Sequence, residues 1–336
     1  MTYAAPLPST AATRAGNPLV SVIIPVLDEA AAVPAFHQAV SAVLHAAGLR
    51  HELVFIDDGS TDATSAVLVR LAAADPCVRV LSLSRNFGKE AALTAGLDHA
   101  MGDVLVPMDV DLQDPPWLIP VFVARWREGW DVVYGARRSR AADTRLKRLS
   151  AAAFYRLFNL VADTRIPADA GDFRLIDRRV ADVLRLLPER GRFMKGLFAW
   201  AGFRTIGVPY DRPARVAGGS RFRPWRLWNF AIDGLTSFST APLRVWTYVG
   251  AAVALAAFAY AGAIIVRTVV VGVDVPGYAS LISVVLFLGG LQLISLGVLG
   301  EYVGRLFVEA KGRPLYVLDR GTAQPPGAPI SLAAPR

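Results

Sequence analysis

Cysteine is nearly absent from this sequence: Cys77 is the single one among 336 residues. One thiol cannot form an intramolecular disulfide, so a disulfide-stapled fold is excluded, and the composition fits a reducing compartment. Glycine-rich phosphate loops are absent too. No Gly-x-Gly-x-x-Gly follows the first predicted strand, and no Gly-x-x-x-x-Gly-Lys-Ser/Thr occurs anywhere. These absences argue against a dinucleotide dehydrogenase and against a P-loop enzyme.

The amino terminus lacks the apolar core of a signal peptide. Residues 1–18 are instead rich in Ala, Pro, Ser and Thr. We therefore predict a disordered leader over residues 1–17.

Apolar sequence is present in excess: 54% of the residues are hydrophobic and the mean hydropathy is +0.39. Residues 245–266 and 275–300 contain no Asp, Glu, Lys or Arg, and each run is long enough to cross a bilayer as a helix. Positive residues flank the outer ends of this predicted hairpin: Arg244, Arg305, Lys311 and Arg313. The positive-inside rule then places both ends in the cytoplasm. We expect Gln292 to face the other helix or another subunit.

The net charge is +8, and basic residues crowd into residues 137–148 and 204–226, just ahead of the apolar runs. Anionic lipid or a phosphorylated substrate explains this placement better than nucleic acid does. We therefore expect phosphate chemistry beside a membrane and no nucleic-acid partner.

The first half of the chain alternates short apolar runs with helical patterns. The predicted strands are residues 20–26, 52–56, 78–83 and 104–108, and the predicted helices are residues 30–47, a segment ending at residue 74, and residues 90–100. Such alternation requires right-handed crossovers and a mostly parallel sheet covered on both faces. The expected fold class is α/β.

Acidic residues follow three of the four predicted strands. The pairs are Asp28 and Glu29, Asp57 and Asp58, and Asp109 and Asp111. In parallel sheets ligands bind beyond the carboxyl ends of the strands. The sequence therefore predicts a binding site at that edge.

Asp109 and Asp111 point to the same side if the strand alternation continues through them, and Gln113 is next in that alternation. Neighbouring carboxylates repel each other, and a hard divalent cation with oxygen ligands relieves the repulsion. The alternative is a strand end capped by solvated Asp side chains.

Residues 20–30, 56–62 and 108–116 resemble the three signature stretches of family 2 glycosyltransferases of the GT-A fold, which is Rossmann-like. Residues 84–90, 171–175 and 300–318 are similar, more narrowly, to polyprenyl-phosphate glycosyltransferases. That group includes dolichol-phosphate mannose synthase and bacterial enzymes that glycosylate undecaprenyl phosphate. Asp28 departs from the pattern, because Asn is commoner there.

The resemblance implies inverting transfer of a sugar from a nucleotide diphosphate to a lipid phosphate. It implies Mg²⁺ or Mn²⁺ on Asp109, Asp111 and Gln113. The implied nucleotide-binding residues are Pro25, Asp28, Glu29, Asp57, Asp58 and Asp109. The implied catalytic residues are Asp172 and Arg137. The candidate residues for the acceptor and the diphosphate are Lys147, Arg148, Arg212, Arg215, Ser220 and Arg221.

Several of these residues have a plainer interpretation. Arg137 could be a surface cation after a strand, and Asp172 could be a buried salt-bridge partner of an arginine. The basic loop at residues 212–221 could simply be solvated. Residues 224–238 place apolar side chains at helical spacing, which suits either a helix in the bilayer interface or one that packs against the catalytic domain.

The predicted organisation is a leader, a catalytic domain, a basic and amphipathic juxtamembrane element, two transmembrane helices and a cytoplasmic tail. Their bounds are residues 1–17, 18–210, 211–242, 243–304 and 305–336. The predicted activity is transfer of glucose from UDP-glucose to undecaprenyl phosphate at the cytoplasmic face of the bacterial inner membrane, with a homo-oligomer possible.

Three alternatives remain open. The donor sugar could be mannose, an N-acetylhexosamine or amino-arabinose. A processive polysaccharide synthase would carry a Gln-x-x-Arg-Trp motif, which the sequence lacks. A non-catalytic membrane-anchored binding protein for nucleotide sugars or lipid carriers would not need the acidic metal ligands.

Overall fold

The computed structural model describes Arg14 and residues 16–137, 170–187, 189–192, 194–210, 241–272 and 277–319. These residues belong to two compact units. Residues up to 210, together with residues 314–319, belong to the first unit, and residues 241–313 belong to the second. Residues 138–148 of the predicted basic cluster and residues 211–240 of the predicted juxtamembrane element lie outside the described residues.

The first unit alternates strands and helices along the chain. The elements are β1 (Leu19–Val26), α1 (Ala32–Ala46), β2 (Arg50–Asp57), α2 (Thr64–Ala74), β3 (Val78–Ser82), α3 (Lys89–His99), β4 (Val104–Pro107), α4 (Leu118–Arg127), β5 (Val132–Arg137), β6 (Ala170–Asp177), α5 (Arg178–Leu186), α6 (Met194–Trp200) and β7 (Thr205–Tyr210).

The described strands form one seven-stranded sheet in the order β3-β2-β1-β4-β6-β5-β7. β1 pairs in parallel with β2 and with β4, β2 with β3, and β5 with β7. Only β6 runs antiparallel to its neighbours β4 and β5. The prediction of a mostly parallel α/β sheet is confirmed.

Both faces of the sheet are buried, because apolar residues occupy successive positions of β1 and β2. On one face Ile24 and Phe55 belong to the same core cluster as Phe36 of α1. On the other face α3 packs closely through Gly96, where an added Cβ would lie 2.2 Å from the Ile23 side chain. A larger residue at position 96 would therefore push α3 away from the sheet.

The predicted bounds of the first four strands and three helices agree with the structure to within a few residues. The end of the fourth strand differs: β4 stops at Pro107, so the residues after it no longer follow a strand period. Helices α4 and α5 were not predicted. α5 begins directly after β6, with the side chain of Asp177 accepting from the backbone N–H of Arg179 at 2.9 Å.

Arg14 lies buried between two carboxylates. Its guanidinium donates to Asp131 at 2.5 Å and to Asp177 at 3.1 Å, and Asp177 also accepts from the indole of Trp126 at 2.7 Å. Burial alone raises the pKa of Asp177, but hydrogen bonds from Trp126 and Arg179 outweigh it and hold that pKa below its ordinary value. The predicted disorder of the leader does not hold for Arg14, because its charge compensates these buried carboxylates.

Residues 314–319, here called the C-terminal strap, return to the first unit after the second long helix. Leu318 forms an antiparallel bridge with Leu83, and the N–H of Ser84 donates to the carbonyl of Val317 at 2.9 Å. The hydroxyl of Tyr316 donates to Asp98 at 2.9 Å. The strap, which lies within the predicted tail, therefore pairs with residues 82–84, at and just beyond the end of β3.

The second unit contains α7 (Ala241–Val271) and α8 (Tyr278–Ala310). Val245–Ile264 and Phe287–Ala310 are long and apolar enough to cross a membrane by length and composition. Their large apolar side chains, such as Phe258 and Leu296, are exposed in this unit, as expected for a surface that contacts lipid. Gln292 is exposed as well, and its expected partner stays a prediction.

Candidate active site

The carboxyl ends of β1, β2 and β4 meet at one edge of the sheet and border a cavity of about 460 Å³. Carboxylates from the ends of all three strands line this cavity. The lining residues are Pro25, Val26, Leu27, Glu29, Asp58, Asn86, Gly88, Lys89, Ala92, Asp109, Val110 and Asp111. The predicted residues Pro25, Glu29, Asp58, Asp109 and Asp111 are therefore brought together at the edge where the sequence placed them.

Asp109 forms an ion pair across the cavity wall. The ammonium of Lys89 lies 2.7 Å from Oδ1 and 2.9 Å from Oδ2 of Asp109. The side chains are 44% and 38% exposed, respectively, so water screens the attraction. The carboxylate that the sequence assigned to a metal is paired with a lysine in this structure.

The loop after β4 is shaped by its own hydrogen bonds. The carboxylate of Asp111 accepts from the backbone N–H of Gln113 at 3.1 Å, and Leu112 between them has a positive φ of 54°. Asp114 is buried and accepts from the hydroxyl of Tyr210 at 2.8 Å. A turn anchored to β7 therefore positions Asp109 and Asp111, and strand alternation was the wrong reason for their convergence.

Gln113 has a different place from the one expected. It follows the positive-φ residue and is not among the described residues that line the cavity. Its backbone N–H supports the carboxylate of Asp111. The structure thus gives Gln113 a part in the shape of the loop.

Asp58 holds the loop between β3 and α3. It is only 4% exposed, and its carboxylate accepts from the backbone N–H groups of Phe87 at 2.7 Å and Gly88 at 2.9 Å. The pKa of Asp58 is raised above its ordinary value, because burial and the nearby charge of Asp57 outweigh the lowering by these two hydrogen bonds. Gly59 allows the same loop to approach, because an added Cβ would lie 2.6 Å from the Arg85 backbone.

Asp57 and Asp28 accept hydrogen bonds from the turn at residues 60 and 61. Buried Asp57 accepts from the backbone N–H of Ser60 at 2.9 Å and from the Ser65 hydroxyl. Asp28 has a positive φ of 54° and accepts from the backbone N–H of Thr61 at 2.8 Å. Neither residue is among those that line the described cavity. Both fix the turn that brings Glu29 and Asp58 to the edge.

Arg137 and Asp172 lie toward the same edge by their backbone positions. Arg137 ends β5, and Asp172 is near the start of β6, which runs antiparallel to β4 with Val104 opposite Asp177. Their side chains are outside the described structure. The remaining predicted residues also lie outside it: Lys147, Arg148, Arg212, Arg215, Ser220 and Arg221.

The donor set suits a hard divalent cation. Among the described residues, no cluster of three or more His, Cys, Asp or Glu side chains is arranged to hold a metal ion. Mg²⁺, however, is commonly held by one or two carboxylates, with waters and substrate phosphates completing its coordination. Asp109 and Asp111 provide that pair of carboxylates at an open cavity, so they fit an ion that arrives with a phosphorylated substrate.

The cavity wall also includes Asn86, Gly88 and Lys89, which were not predicted as site residues. They belong to the segment 84–90, which the sequence analysis used only for the resemblance. The signal that could have identified them is a Gly-Lys pair at the start of a predicted helix beside an acidic edge.

Comparison with known proteins agrees with this architecture. Residues 21–185 match the sequence family described as glycosyl transferase family 2, and residues 241–306 match the GtrB C-terminal hairpin. The chain is 50% identical over 301 residues to the SfII prophage-derived bactoprenol glucosyl transferase of Shigella flexneri, and the match covers 90% of this chain and 97% of that protein. The chain belongs to glycosyltransferase family 2. The expected GT-A type of fold is thereby confirmed for this glycosyltransferase.

Other relatives point the same way. The glycosyltransferase is 48% identical over 301 residues to the prophage bactoprenol glucosyl transferase homolog of Escherichia coli (strain K12), and the match covers 90% of this chain and 98% of that protein. Among solved structures it is similar to glucosyl-3-phosphoglycerate synthase from Mycobacterium tuberculosis in complex with Mn²⁺, UDP and glucosyl-3-phosphoglycerate. That match has 23% identity and a TM-score of 0.44, and it covers 68% of this chain and 82% of that chain.

Proposed function

We propose that this glycosyltransferase transfers glucose from UDP-glucose to undecaprenyl phosphate, with inversion at the anomeric carbon, on the cytoplasmic face of the membrane. The observation that carries the proposal is the cavity at the end of β4, with Asp109 and Asp111 on its wall, in a chain that also has two membrane-length apolar helices. Relatives about 50% identical over nine-tenths of the chain are named bactoprenol glucosyl transferases, which supports the lipid acceptor and the sugar.

Asp109 and Asp111 would hold Mg²⁺ or Mn²⁺ together with the donor diphosphate. The bound ion would stabilise the negative charge that develops on the departing nucleotide diphosphate. Arg137, at the end of β5, would approach the same diphosphate. The neighbouring wall of the cavity contains Pro25, Glu29 and Asp58, and these residues would contact the nucleoside.

The acceptor side of the site needs positive charge, because a lipid phosphate must approach a wall that carries several carboxylates. The basic residues Lys147, Arg148, Arg212, Arg215 and Arg221, with Ser220, are the candidates for that contact. Basic residues also flank the hairpin at both ends, which supports a cytoplasmic catalytic domain by the positive-inside rule. Nucleotide sugars are made in that compartment, so donor and site would share it.

Asp111→Asn tests the catalytic site directly. The substitution removes the charge but keeps an oxygen that can accept from the N–H of Gln113, so the loop should keep its shape. We expect transfer of radiolabelled glucose from UDP-glucose to undecaprenyl phosphate to fall by at least ~100-fold, the effect of losing one charge-stabilising group.

Asp182→Asn is the matched control, because Asp182 is an exposed carboxylate of α5 paired with Arg185. It should keep the wild-type rate. Wild-type activity of Asp111→Asn, or of the unaltered enzyme in excess EDTA, would contradict the proposed metal site.

A further inference from the structure

Lys89 occupies the place in this cavity where a cation is expected. Its ammonium is within 2.9 Å of both oxygens of Asp109, the carboxylate proposed to bind the metal. Both side chains are more than a third exposed, so the pair contributes little to the stability of the fold. A screened ion pair at the centre of a binding site is better explained by ligand binding than by stability.

The position of Lys89 also suits an anion. It is the first residue of α3, an eleven-residue helix whose amino-terminal residues Gly88 and Lys89 line the cavity. The amino end of a helix carries partial positive charge and favours phosphate groups. The N–H of Gly88 is already used by Asp58, so the partly exposed ammonium of Lys89 is the group that can contact a phosphate.

We infer that Lys89 exchanges partners when the donor binds: it neutralises Asp109 before binding, then releases that carboxylate to the divalent cation and contacts the donor diphosphate. The inference rests on the proposed function. The cavity wall carries Glu29, Asp58, Asp109 and Asp111, and Lys89 is the single Lys or Arg among its described lining residues. A metal–diphosphate complex brings both a cation for Asp109 and an anion for Lys89, so both side chains keep a partner of opposite charge.

The exchange predicts opposite effects on two binding constants. Lys89→Met keeps the length of the side chain and removes its charge. Without a competing ammonium, the variant should bind Mn²⁺ alone up to about five-fold more tightly, the range for a screened ion pair. With Mn²⁺ saturating, it should bind UDP at least about ten-fold more weakly, because a charge-assisted hydrogen bond to phosphate is lost. Titration calorimetry of the purified full chain in detergent measures both constants.

Two further variants make the test specific. Lys89→Arg keeps the charge and should keep both constants near those of the wild type. Arg125→Gln removes one positive charge from an exposed pair with Glu128 on α4 and should change neither constant.

The outcomes separate this inference from the proposed function. Unchanged or weaker binding of Mn²⁺ by Lys89→Met, or undiminished binding of UDP, would overturn the partner exchange and leave the proposed function standing. Failure of the wild-type chain to bind UDP in a Mn²⁺-dependent manner would overturn both.

Discussion

The acceptor phosphate decides what Asp172 has to do. A phosphate monoester has a second pKa of about 6, so near neutral pH the lipid phosphate is already mostly a dianion. It needs no proton removed before it attacks the anomeric carbon. It does need a fixed position near the carboxylates of Asp109 and Asp111, and β6 starts at that edge of the sheet. We therefore propose that Asp172 orients the acceptor, directly or through an arginine such as Arg215 or Arg221.

The pH dependence of Asp172→Asn distinguishes an orienting residue from a base. The variant keeps the shape of the side chain and removes its charge. If orientation dominates, the rate of transfer should fall by a similar factor at every pH from about 6 to 9, well above an ordinary Asp pKa. A deficit that closes above about pH 8 would instead identify Asp172 as a general base.

At the scale of residues, the sequence correctly predicted which acidic residues line the cavity, but not what positions them there. Asp109 and Asp111 line the cavity as expected, yet a turn anchored by Asp114 and Tyr210 places them there. Such a turn depends on a contact between residues far apart in the chain, which local periodicity does not contain. Lys89 was missed for the same reason: its partner Asp109 lies in a different loop, far away in the chain.

At the scale of elements, the C-terminal strap contacts the start of the loop that leads from β3 into α3 and Lys89. The loop between β3 and α3 is held by Asp58 on one side. On the other side two backbone hydrogen bonds join it to the strap. The N–H of Ser84 donates to the carbonyl of Val317, and the N–H of Asp319 donates to the carbonyl of Ser82 at 2.8 Å. The strap follows α8 closely in the chain and belongs to the first unit.

Two truncations test the role of the strap. A chain that ends at Arg313 loses the strap, and we expect transfer to fall between about 10- and 100-fold, because small displacements of a positioned group have effects of that size. A chain that ends at Asp319 keeps every described strap contact and should transfer sugar at the wild-type rate. Initial rates in membranes with matched protein amounts give the comparison. Equal rates for the two truncations would show that the strap does not support the site.

The sequence predicted the regular elements well and the irregular ones poorly. The first strands are short apolar runs separated by helical segments and turn residues, so their bounds were close. The strap is short, and its pairing partner Leu83 lies in the first third of the chain, so no local pattern marked it as part of a sheet. Helix α4 begins at Leu118, directly after the loop that contains Pro115 and Pro116, and it was not among the predicted helices.

At the scale of the whole molecule, the chain joins a family 2 catalytic unit to two membrane-length helices. The hairpin could be predicted from composition alone, because the lipid interior requires long runs without charge. Glucose was the predicted sugar, but mannose, an N-acetylhexosamine and amino-arabinose stayed open, because no motif in the sequence specifies the sugar. The names of the relatives support glucose.

Transfer in sealed vesicles tests the central claim most directly. Inside-out and right-side-out membrane vesicles containing the protein and undecaprenyl phosphate are given labelled UDP-glucose, with labelled GDP-mannose and UDP-N-acetylglucosamine in parallel. We predict that label becomes extractable into organic solvent from UDP-glucose, in inside-out vesicles, and only when the lipid phosphate is present, because the charged donor does not cross the bilayer. Transfer confined to right-side-out vesicles, or no acceptor-dependent lipid product from UDP-glucose in either preparation, would contradict the account.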